Sequence, residues 1–188
     1  MSIRLTRPSA TVLRSLADAG ATDSLTYEII GMSGMPTPPP GYRLDHWSRI
    51  LGTGSETFKR AVDALHGWQV HQGAGLAVHA AGPPVIGSVV AMAAPLPVGW
   101  VEVVCRVVDV VDQADRFGFA YGTLSVHPEQ GEESFTVVHT DDDLVEFRIV
   151  AVSRPRHLLA RAFSPVARRL QVAATNRYLA AMQSATGN

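Results

Sequence analysis

Residues 116–135 bring several side chains suited to acid–base chemistry into one short stretch. They read Arg-Phe-Gly-Phe-Ala-Tyr-Gly-Thr-Leu-Ser-Val-His-Pro-Glu-Gln-Gly-Glu-Glu-Ser-Phe. A phenol, an imidazole and several carboxyl groups would lie close together if this stretch folds into two neighbouring strands. Such groups move protons to and from a reacting molecule when they are held near it. We therefore take Tyr121, His127 and Glu133 as the candidate catalytic group.

The first half of this stretch has one aromatic face and one face of small residues, because side chains alternate along a strand. The aromatic face is formed by every second residue: Phe117, Phe119, Tyr121 and Thr123. The opposite face carries only glycine and alanine, which lets another segment approach closely. Phe117, Phe119 and Thr123 would then contact a substrate in a cavity. The alternative is an ordinary core in which Tyr121 finds a partner for its hydroxyl.

Glu133 is the candidate carboxylate that points inward. Glu132 and Glu133 must point to opposite faces of a strand, and Glu133 shares its face with Phe135. A carboxylate on an apolar face is costly unless it is paired or its pKa rises. A raised pKa is what a general acid needs at neutral pH. The alternative is a structural ion pair with Arg106 or Arg148.

Two arginines are candidate substrate-binding residues. Arg106 interrupts the apolar run at residues 103–108, so its guanidinium needs an acceptor, either a carboxylate or a ligand. Arg154 precedes Pro155 at the predicted end of a strand, where it could reach the rim of a cavity or cap a turn.

Composition argues against several classes of function. The net charge is −1 and no run of Lys or Arg exceeds two residues, which disfavours nucleic-acid and anionic-membrane partners. Cys105 is the only cysteine, which excludes an internal disulfide and favours a cytoplasmic protein. We find no phosphate-binding loop, nucleophile elbow or metal-ligand spacing. We therefore predict no cofactor, no metal and no membrane span. The expected partner is a small apolar or polyketide-like ligand, and the expected assembly is a monomer or homodimer.

The elements that must position these side chains follow from hydrophobic periodicity. Alternation predicts strands over residues 25–30, 42–51, 68–72, 76–80, 85–94, 100–111, 116–126, 132–140 and 144–153. Helical spacing predicts a helix at 9–19, a central helix at 54–66 that starts with a Thr53–Glu56 capping box, and helices at 156–163 and from 164 onward. The connections are short, so the strands should be antiparallel.

These elements predict a single mainly β (α+β) domain over residues 1–188. Residues 1–24 would form a helical extension, residues 25–155 the barrel, and residues 156–184 the C-terminal helices. We expect a curled or closed antiparallel β-barrel of about 8–10 strands with an internal cavity, because open edges invite aggregation. The C-terminal helix should pack outside the barrel.

Several motifs resemble one known family. The runs Phe-Ala-Tyr-Gly-Thr-Leu at 119–124 and His-Pro-Glu-x-Gly-Glu-Glu-x-Phe at 127–135 are similar to the signature of domain-of-unknown-function family 1990. The resemblance extends from about Leu25 to Ala181, and Ser125-Val126 stands where the family usually has Pro-Gly. Some similar small barrel proteins of actinomycete polyketide pathways look like cyclases that form spiroacetals. The resemblance therefore implies cofactor-free acid–base catalysis inside a barrel.

Three functions from different classes remain open at this point. The first is an acid–base cyclase that acts on a polyketide-like hydroxy-ketone, with Tyr121, His127 and Glu133 as the acid–base group. The second is a non-catalytic barrel that binds a lipid or another apolar metabolite. The third is a structural or interaction protein whose barrel is filled. An internal cavity beside Tyr121 and Glu133 distinguishes the first two from the third.

Overall fold

The computed structural model describes residues 2–156 and 164–187, and within them eight strands form one antiparallel sheet. The strands are β1 (Ser2–Arg4), β2 (Arg43–Thr53), β3 (Ala77–Ala80), β4 (Val89–Pro95), β5 (Trp100–Asp112), β6 (Arg116–Thr123), β7 (Glu129–His139) and β8 (Leu144–Pro155). The helices are α1 (Ala10–Gly20), α2 (Ser55–His66), α3 (Gln69–Gly73) and α4 (Ser164–Thr186), with a 3₁₀ turn at Met32–Gly34. None of these helices is both long and apolar enough to cross a membrane.

The sheet is open, so the prediction of a closed barrel is wrong. Its strand order is β2-β8-β7-β6-β5-β4-β3, with β1 paired to the start of β5. Consecutive strands from β3 to β8 are neighbours and antiparallel, as their short connections predicted. Strands β2 and β3 stand at the two ends of this order, because the chain between them folds into α2 and α3 rather than into bridging strands.

Two segments predicted as strands have other structures. Residues 25–30 form an irregular segment that crosses the sheet face bearing Gly122, where the N–H of Thr26 donates to the carbonyl of Thr123. Residues 69–73 form α3. It starts after Trp68, whose left-handed φ of 56° is held in place by a 2.9 Å hydrogen bond from its indole N–H to the carbonyl of Gly82. A five-residue apolar alternation is too short to separate a helical turn from a strand.

The start of α2 also differs from its prediction. Thr53 is the last residue of β2 and pairs with Leu144, so it is not available as a helix cap. The N-cap is Gly54, with a φ of 86° and no side-chain hydrogen bond. The capping-box prediction is therefore wrong, although the helix itself lies where the apolar spacing placed it.

The two faces of the sheet bury different clusters. One face, which we call the inner face, packs Phe119 and Phe135 against α2, α3 and α4. The outer face packs Leu13 of α1 against Val104 and Leu124. The prediction that the C-terminal helix lies outside is wrong, because Tyr178, Leu179 and Met182 belong to the inner core cluster. Residues 157–163 of the helix predicted at 156–163 lie outside the described residues.

Helix α4 is tied to the edge strand β2 by polar contacts as well as by apolar packing. Arg168 donates to both carboxylate oxygens of Asp45 at 2.8 and 2.9 Å, and its guanidinium lies 5.6 Å from the ring centre of Trp47. Farther along, Arg49 donates to the side-chain oxygen of Gln183 at 2.8 Å. These contacts fix the helix over the end of the sheet where the acid–base candidates lie.

Candidate functional site

A pocket of about 130 Å³ lies on the inner face, between the ends of β6, β7 and β8 and the side of α4. It brings together four of the residues proposed from the sequence: Tyr121, Thr123, His127 and Glu133. Its other lining residues are Glu129, Gly131, Glu132, Ala151, Ser153, Gln171, Ala174, Thr175 and Tyr178. We call this space the acid–base pocket.

Tyr121 and Glu133 meet in this pocket because the β6–β7 register pairs them directly. The hydroxyl of Tyr121 donates to Oε2 of Glu133 at 2.9 Å. Alternation along β7 turns Glu132 to the outer face, where it accepts from the hydroxyl of Tyr27. The prediction that the two adjacent glutamates point to opposite faces is therefore confirmed by their partners.

The environment of Glu133 favours its protonated form. Burial raises the pKa of its carboxyl, the hydrogen bond from Tyr121 lowers it, and the nearby Glu129 raises it, which leaves a pKa of about 7. The ion pairs considered from the sequence do not form among the described residues. Arg148 pairs with Glu146 at 2.6 Å, and Arg106 donates to a backbone carbonyl on the outer face.

His71 lies next to the Tyr121 hydroxyl. Its Nε2 lies 3.4 Å from the Tyr121 oxygen, and its Nδ1 has no hydrogen-bond partner among the described residues. The ring is fully buried between Phe135, at 4.8 Å, and Tyr178, at 5.1 Å between centroids. Burial lowers the pKa of His71 to about 3, so this imidazole is neutral. Burial also raises the pKa of Tyr121 well above its usual value, so the phenol keeps its proton.

His127 lines the pocket, and one of its ring nitrogens is already engaged. Its Nδ1 lies 3.0 Å from the backbone N–H of Glu129 and 3.1 Å from the carbonyl oxygen of the same residue. Burial lowers the pKa of the imidazole to about 4, the Glu129 carbonyl raises it, and Arg156 lowers it. The ring is therefore neutral at pH 7, and Nε2 is the nitrogen that remains to serve a ligand.

The other proposed site residues lie outside the acid–base pocket. Phe119 is buried 5.0 Å from the ring of Trp68, and Phe117 is buried 4.2 Å from that of His66, so both are part of the inner core. Arg106 donates to the carbonyls of Gly20 and Ala21 and so closes the C-terminal end of α1 on the outer face.

Arg154 also faces away from the acid–base pocket. It lines a second pocket together with Tyr42, over whose ring its guanidinium lies at 4.5 Å. Side chains alternate along a strand, so Ser153 lines the acid–base pocket and the next residue, Arg154, points to the opposite face of β8.

Six polar lining residues were not proposed as site residues from the sequence: Glu129, Glu132, Ser153, Gln171, Thr175 and Tyr178. The last three lie on one side of α4, and the regular apolar spacing of that helix was the signal that could have placed Tyr178 beside the sheet. Burial raises the pKa of Tyr178, and the nearby Glu133 adds to that effect. Among the described residues, no group of three or more His, Cys, Asp or Glu side chains is arranged to hold a metal ion.

Sequence comparison relates most of the chain to one family and to proteins from distant organisms. Residues 26–181 match the family described as "Domain of unknown function (DUF1990)". A UPF0548 protein of Dictyostelium discoideum is 29% identical over 134 residues, and one of Arabidopsis thaliana is 29% identical over 128 residues. Each alignment covers 64% of this chain and 62% of the relative, so the matched part spans about three-fifths of those proteins.

Structural comparison relates the fold to two solved proteins. A hypothetical protein from Helicobacter pylori has a TM-score of 0.62 and 9% identity, over 87% of this chain and 98% of that chain. A norcoclaurine synthase point mutant from Thalictrum flavum, solved with a transition-state analogue, has a TM-score of 0.51 and 13% identity, over 77% and 94% of the two chains. At these identities the likeness concerns the fold alone.

Proposed function

Because the chain belongs to the DUF1990 family of unknown function, we propose its chemistry from the acid–base pocket itself: cofactor-independent acid–base catalysis on a small carbonyl compound. The observation that carries the proposal is the Glu133 carboxyl, whose pKa is about 7 and whose partner is the Tyr121 hydroxyl. A carboxyl with that pKa is protonated in about half of the molecules at neutral pH, as a general acid must be.

The proposed step is the addition of a hydroxyl group of the substrate to its own ketone. Glu133 gives its proton to the ketone oxygen while the hydroxyl oxygen bonds to the carbonyl carbon. His127 takes the proton of the hydroxyl at Nε2 in the tautomer whose Nδ1–H donates to the Glu129 carbonyl 3.1 Å away, instead of the tautomer whose Nδ1 accepts from the Glu129 N–H. The product is a cyclic hemiacetal. Glu133 is left as a carboxylate that Tyr121 stabilises, and the proton on His127 restores the acid through solvent.

A second addition with loss of water would convert such a hemiacetal into a spiroacetal. In that step the departing hydroxyl takes a proton and leaves as water, and the second hydroxyl of the substrate gives up its own. A polyketide-like chain that carries one ketone and two hydroxyls fits this chemistry. The pocket volume of about 130 Å³ is smaller than the roughly 300–1,000 Å³ of typical ligand sites, so only the ketone end of a long chain would enter.

The likeness to norcoclaurine synthase supports a small-molecule site in this fold without assigning a reaction. The ligands of that enzyme are not assigned to this chain. For this chain, the support comes from the pocket that the same type of fold leaves between the sheet and the C-terminal helix.

The direct test is incubation of the purified protein with a linear dihydroxy-ketone, followed by mass spectrometry for the loss of the one water molecule that spiroacetal formation releases. We expect turnover that falls about 10²–10⁴-fold in Glu133→Gln, because the variant has no proton to give. Tyr121→Phe should also lower turnover, because it removes the donor that stabilises the carboxylate.

Two controls make this test specific. Glu56→Gln neutralises an exposed carboxyl of α2 and should keep full turnover. Thermal unfolding of each variant shows whether the fold survives. Full activity in both Glu133→Gln and Tyr121→Phe removes this assignment. Retention of the dihydroxy-ketone by wild type without any water loss points to the alternative, a non-catalytic site for a lipid or apolar metabolite.

A further inference from the structure

A second pocket of about 500 Å³ lies on the outer face of the sheet, behind the acid–base pocket. Its walls come from the irregular segment 25–42 and from the ends of β7 and β8: Leu25, Thr26, Tyr27, Glu28, Ile29, Met32, Pro39, Pro40, Tyr42, Gln130 and Arg154. The pair Gln130–Arg154 is followed in the register by Gly131–Ser153, which faces the acid–base pocket. The two pockets therefore lie back to back across the same strand ends.

Among the described residues that line this outer pocket, Arg154 is the only cation, and its two side-chain neighbours there do not neutralise its charge. Its Nε donates to the side-chain oxygen of Gln130 at 3.1 Å, and its guanidinium stacks 4.5 Å from the ring centre of Tyr42. Both neighbours are uncharged. The described residues place no carboxylate within ion-pairing distance of it, although Arg4, Arg43, Arg148 and Arg168 each have one.

The segment that contributes Tyr27 to the pocket wall is anchored by the buried side chain of Glu132. Glu132, which is 2% exposed, accepts from the hydroxyl of Tyr27 at 2.9 Å and from the backbone N–H groups of Gly31 and Ser33 at 2.8 and 3.1 Å. A buried carboxylate with three donors fixes the segment that forms the pocket wall. The site is thus formed before any ligand arrives, which reduces the entropy lost on binding.

From these features we propose that the outer pocket binds a small monocarboxylic acid with an aryl or alkyl body. The planar guanidinium presents paired N–H donors that match the two oxygens of a carboxylate. The apolar body would lie against Pro39 and Ile29, the latter 48% exposed in the absence of a ligand. Glu28 also lines the pocket, and its carboxylate would repel a dianion such as phosphate more strongly than a monoanion.

The test uses ¹H–¹⁵N NMR titration of the full chain with hexanoate, 3-phenylpropionate and the neutral analogue 3-phenylpropanamide. We expect the two acids to shift the amide signals of residues 26–32 and 42, and the neutral amide to bind at least about tenfold more weakly, as loss of a charged hydrogen-bonded pair implies. Arg154→Gln should weaken acid binding by a similar factor. Arg148→Gln, an exposed arginine on the same strand and face, should leave it unchanged.

Two further variants keep the test decisive. Glu28→Gln changes an exposed residue and should tighten acid binding by roughly twofold to fivefold, because it removes a like charge. If Arg154→Gln fails to fold, Arg154→Lys takes its place and should bind the acids more weakly, since lysine lacks the paired donors. Equal binding of acid and amide, or no effect of either Arg154 substitution, overturns the proposal.

Glu133→Gln shows which of the two pockets the acids occupy. If that substitution abolishes the amide shifts, the acids bind in the acid–base pocket and the outer-pocket proposal is wrong. The outer-pocket proposal does not depend on catalysis by Glu133. A result that removes the catalytic proposal therefore leaves the carboxylate-binding proposal in place, and the reverse also holds.

Discussion

Tyr121 and Glu133 face each other across β6 and β7, and the phenol donates to Oε2 of the carboxyl at 2.9 Å. Two opposing effects act on this carboxyl. Burial favours the neutral acid, whereas a donated hydrogen bond favours the carboxylate. Tyr121 itself stays protonated, because burial and the neighbouring carboxyl hold the pKa of the phenol well above its usual value. Glu133 is consequently the group of the pair that titrates near neutral pH.

Removal of the Tyr121 hydroxyl should raise the pKa of Glu133 above about 7. Tyr121→Phe takes away the hydrogen bond that favours the carboxylate and leaves the burial in place. The measurement is a pH titration of the Glu133 carboxyl carbon by ¹³C NMR. Tyr42→Phe, in the outer pocket, is the matched control and should leave this titration unchanged. A pKa that stays the same or falls in Tyr121→Phe contradicts the assigned hydrogen bond.

Ionisation of Glu133 should destabilise the folded protein. Its pKa rises from 4.5 to about 7 on folding, so the folded chain holds this proton more tightly than the unfolded chain. Its contribution to the free energy of unfolding is therefore complete below pH 4.5 and is lost as pH rises towards and through 7. Full ionisation should cost on the order of 3 kcal/mol.

Urea unfolding between pH 5 and pH 8 measures this effect when wild type is compared with Glu133→Gln. The difference between the two proteins is needed because His71, whose pKa is lowered to about 3, contributes an opposite slope as pH falls below 6.5. That contribution is common to both proteins and cancels. Glu56→Gln should keep the wild-type slope. Parallel wild-type and Glu133→Gln curves over this range would mean that Glu133 is not protonated in the folded state.

The alternation of apolar and polar residues predicted the strands that carry the acid–base pocket better than it predicted the closure of the sheet and the packing around it. Strands β5 to β8 follow from alternation and turn residues, because each one is long enough for a period of two to be distinguished. The same alternation placed Glu133 inside and Glu132 outside. The closure of the sheet was mispredicted, since it depends on whether two distant strands, β2 and β3, pair with each other.

Long-range partners explain the remaining differences. Arg106 was expected to need a carboxylate or a ligand, but its acceptors are backbone carbonyls of Gly20 and Ala21, more than eighty positions away in sequence. His71 was assigned to a strand, and its place next to Tyr121 follows from a five-residue helix that periodicity cannot identify. Neither contact has a signal in the neighbouring residues.

Replacement of Gly122 by alanine should destabilise the protein by about 1–3 kcal/mol, as overpacking usually does. An added Cβ would lie 2.0 Å from the hydroxyl oxygen of Tyr27, which is itself held by Glu132. Gly34→Ala is the matched control, because nothing lies within 4 Å of a Cβ there. Chemical denaturation of both variants measures the difference, and equal stabilities would show that segment 25–30 does not press against β6.

Replacement of Glu132 by glutamine should loosen the irregular segment 25–42. The carboxylate of Glu132 accepts from the Tyr27 hydroxyl and from the N–H groups of Gly31 and Ser33. Glu132→Gln replaces one acceptor oxygen by an N–H₂ donor, so at least one of these three donors loses its partner. For a buried group this costs about 1–3 kcal/mol.

Amide hydrogen exchange locates that effect. In Glu132→Gln we expect the amides of Gly31 and Ser33 to exchange faster by roughly 10-fold or more, because a loss of 1.4 kcal/mol of local stability is a tenfold change in opening. Glu133→Gln supplies the control on the next residue of the same strand, whose side chain lies on the opposite face, and it should leave both amides unchanged. Unaltered exchange in Glu132→Gln would mean that the segment is held by its apolar contacts, through Met32 and Val152, rather than by the buried carboxylate.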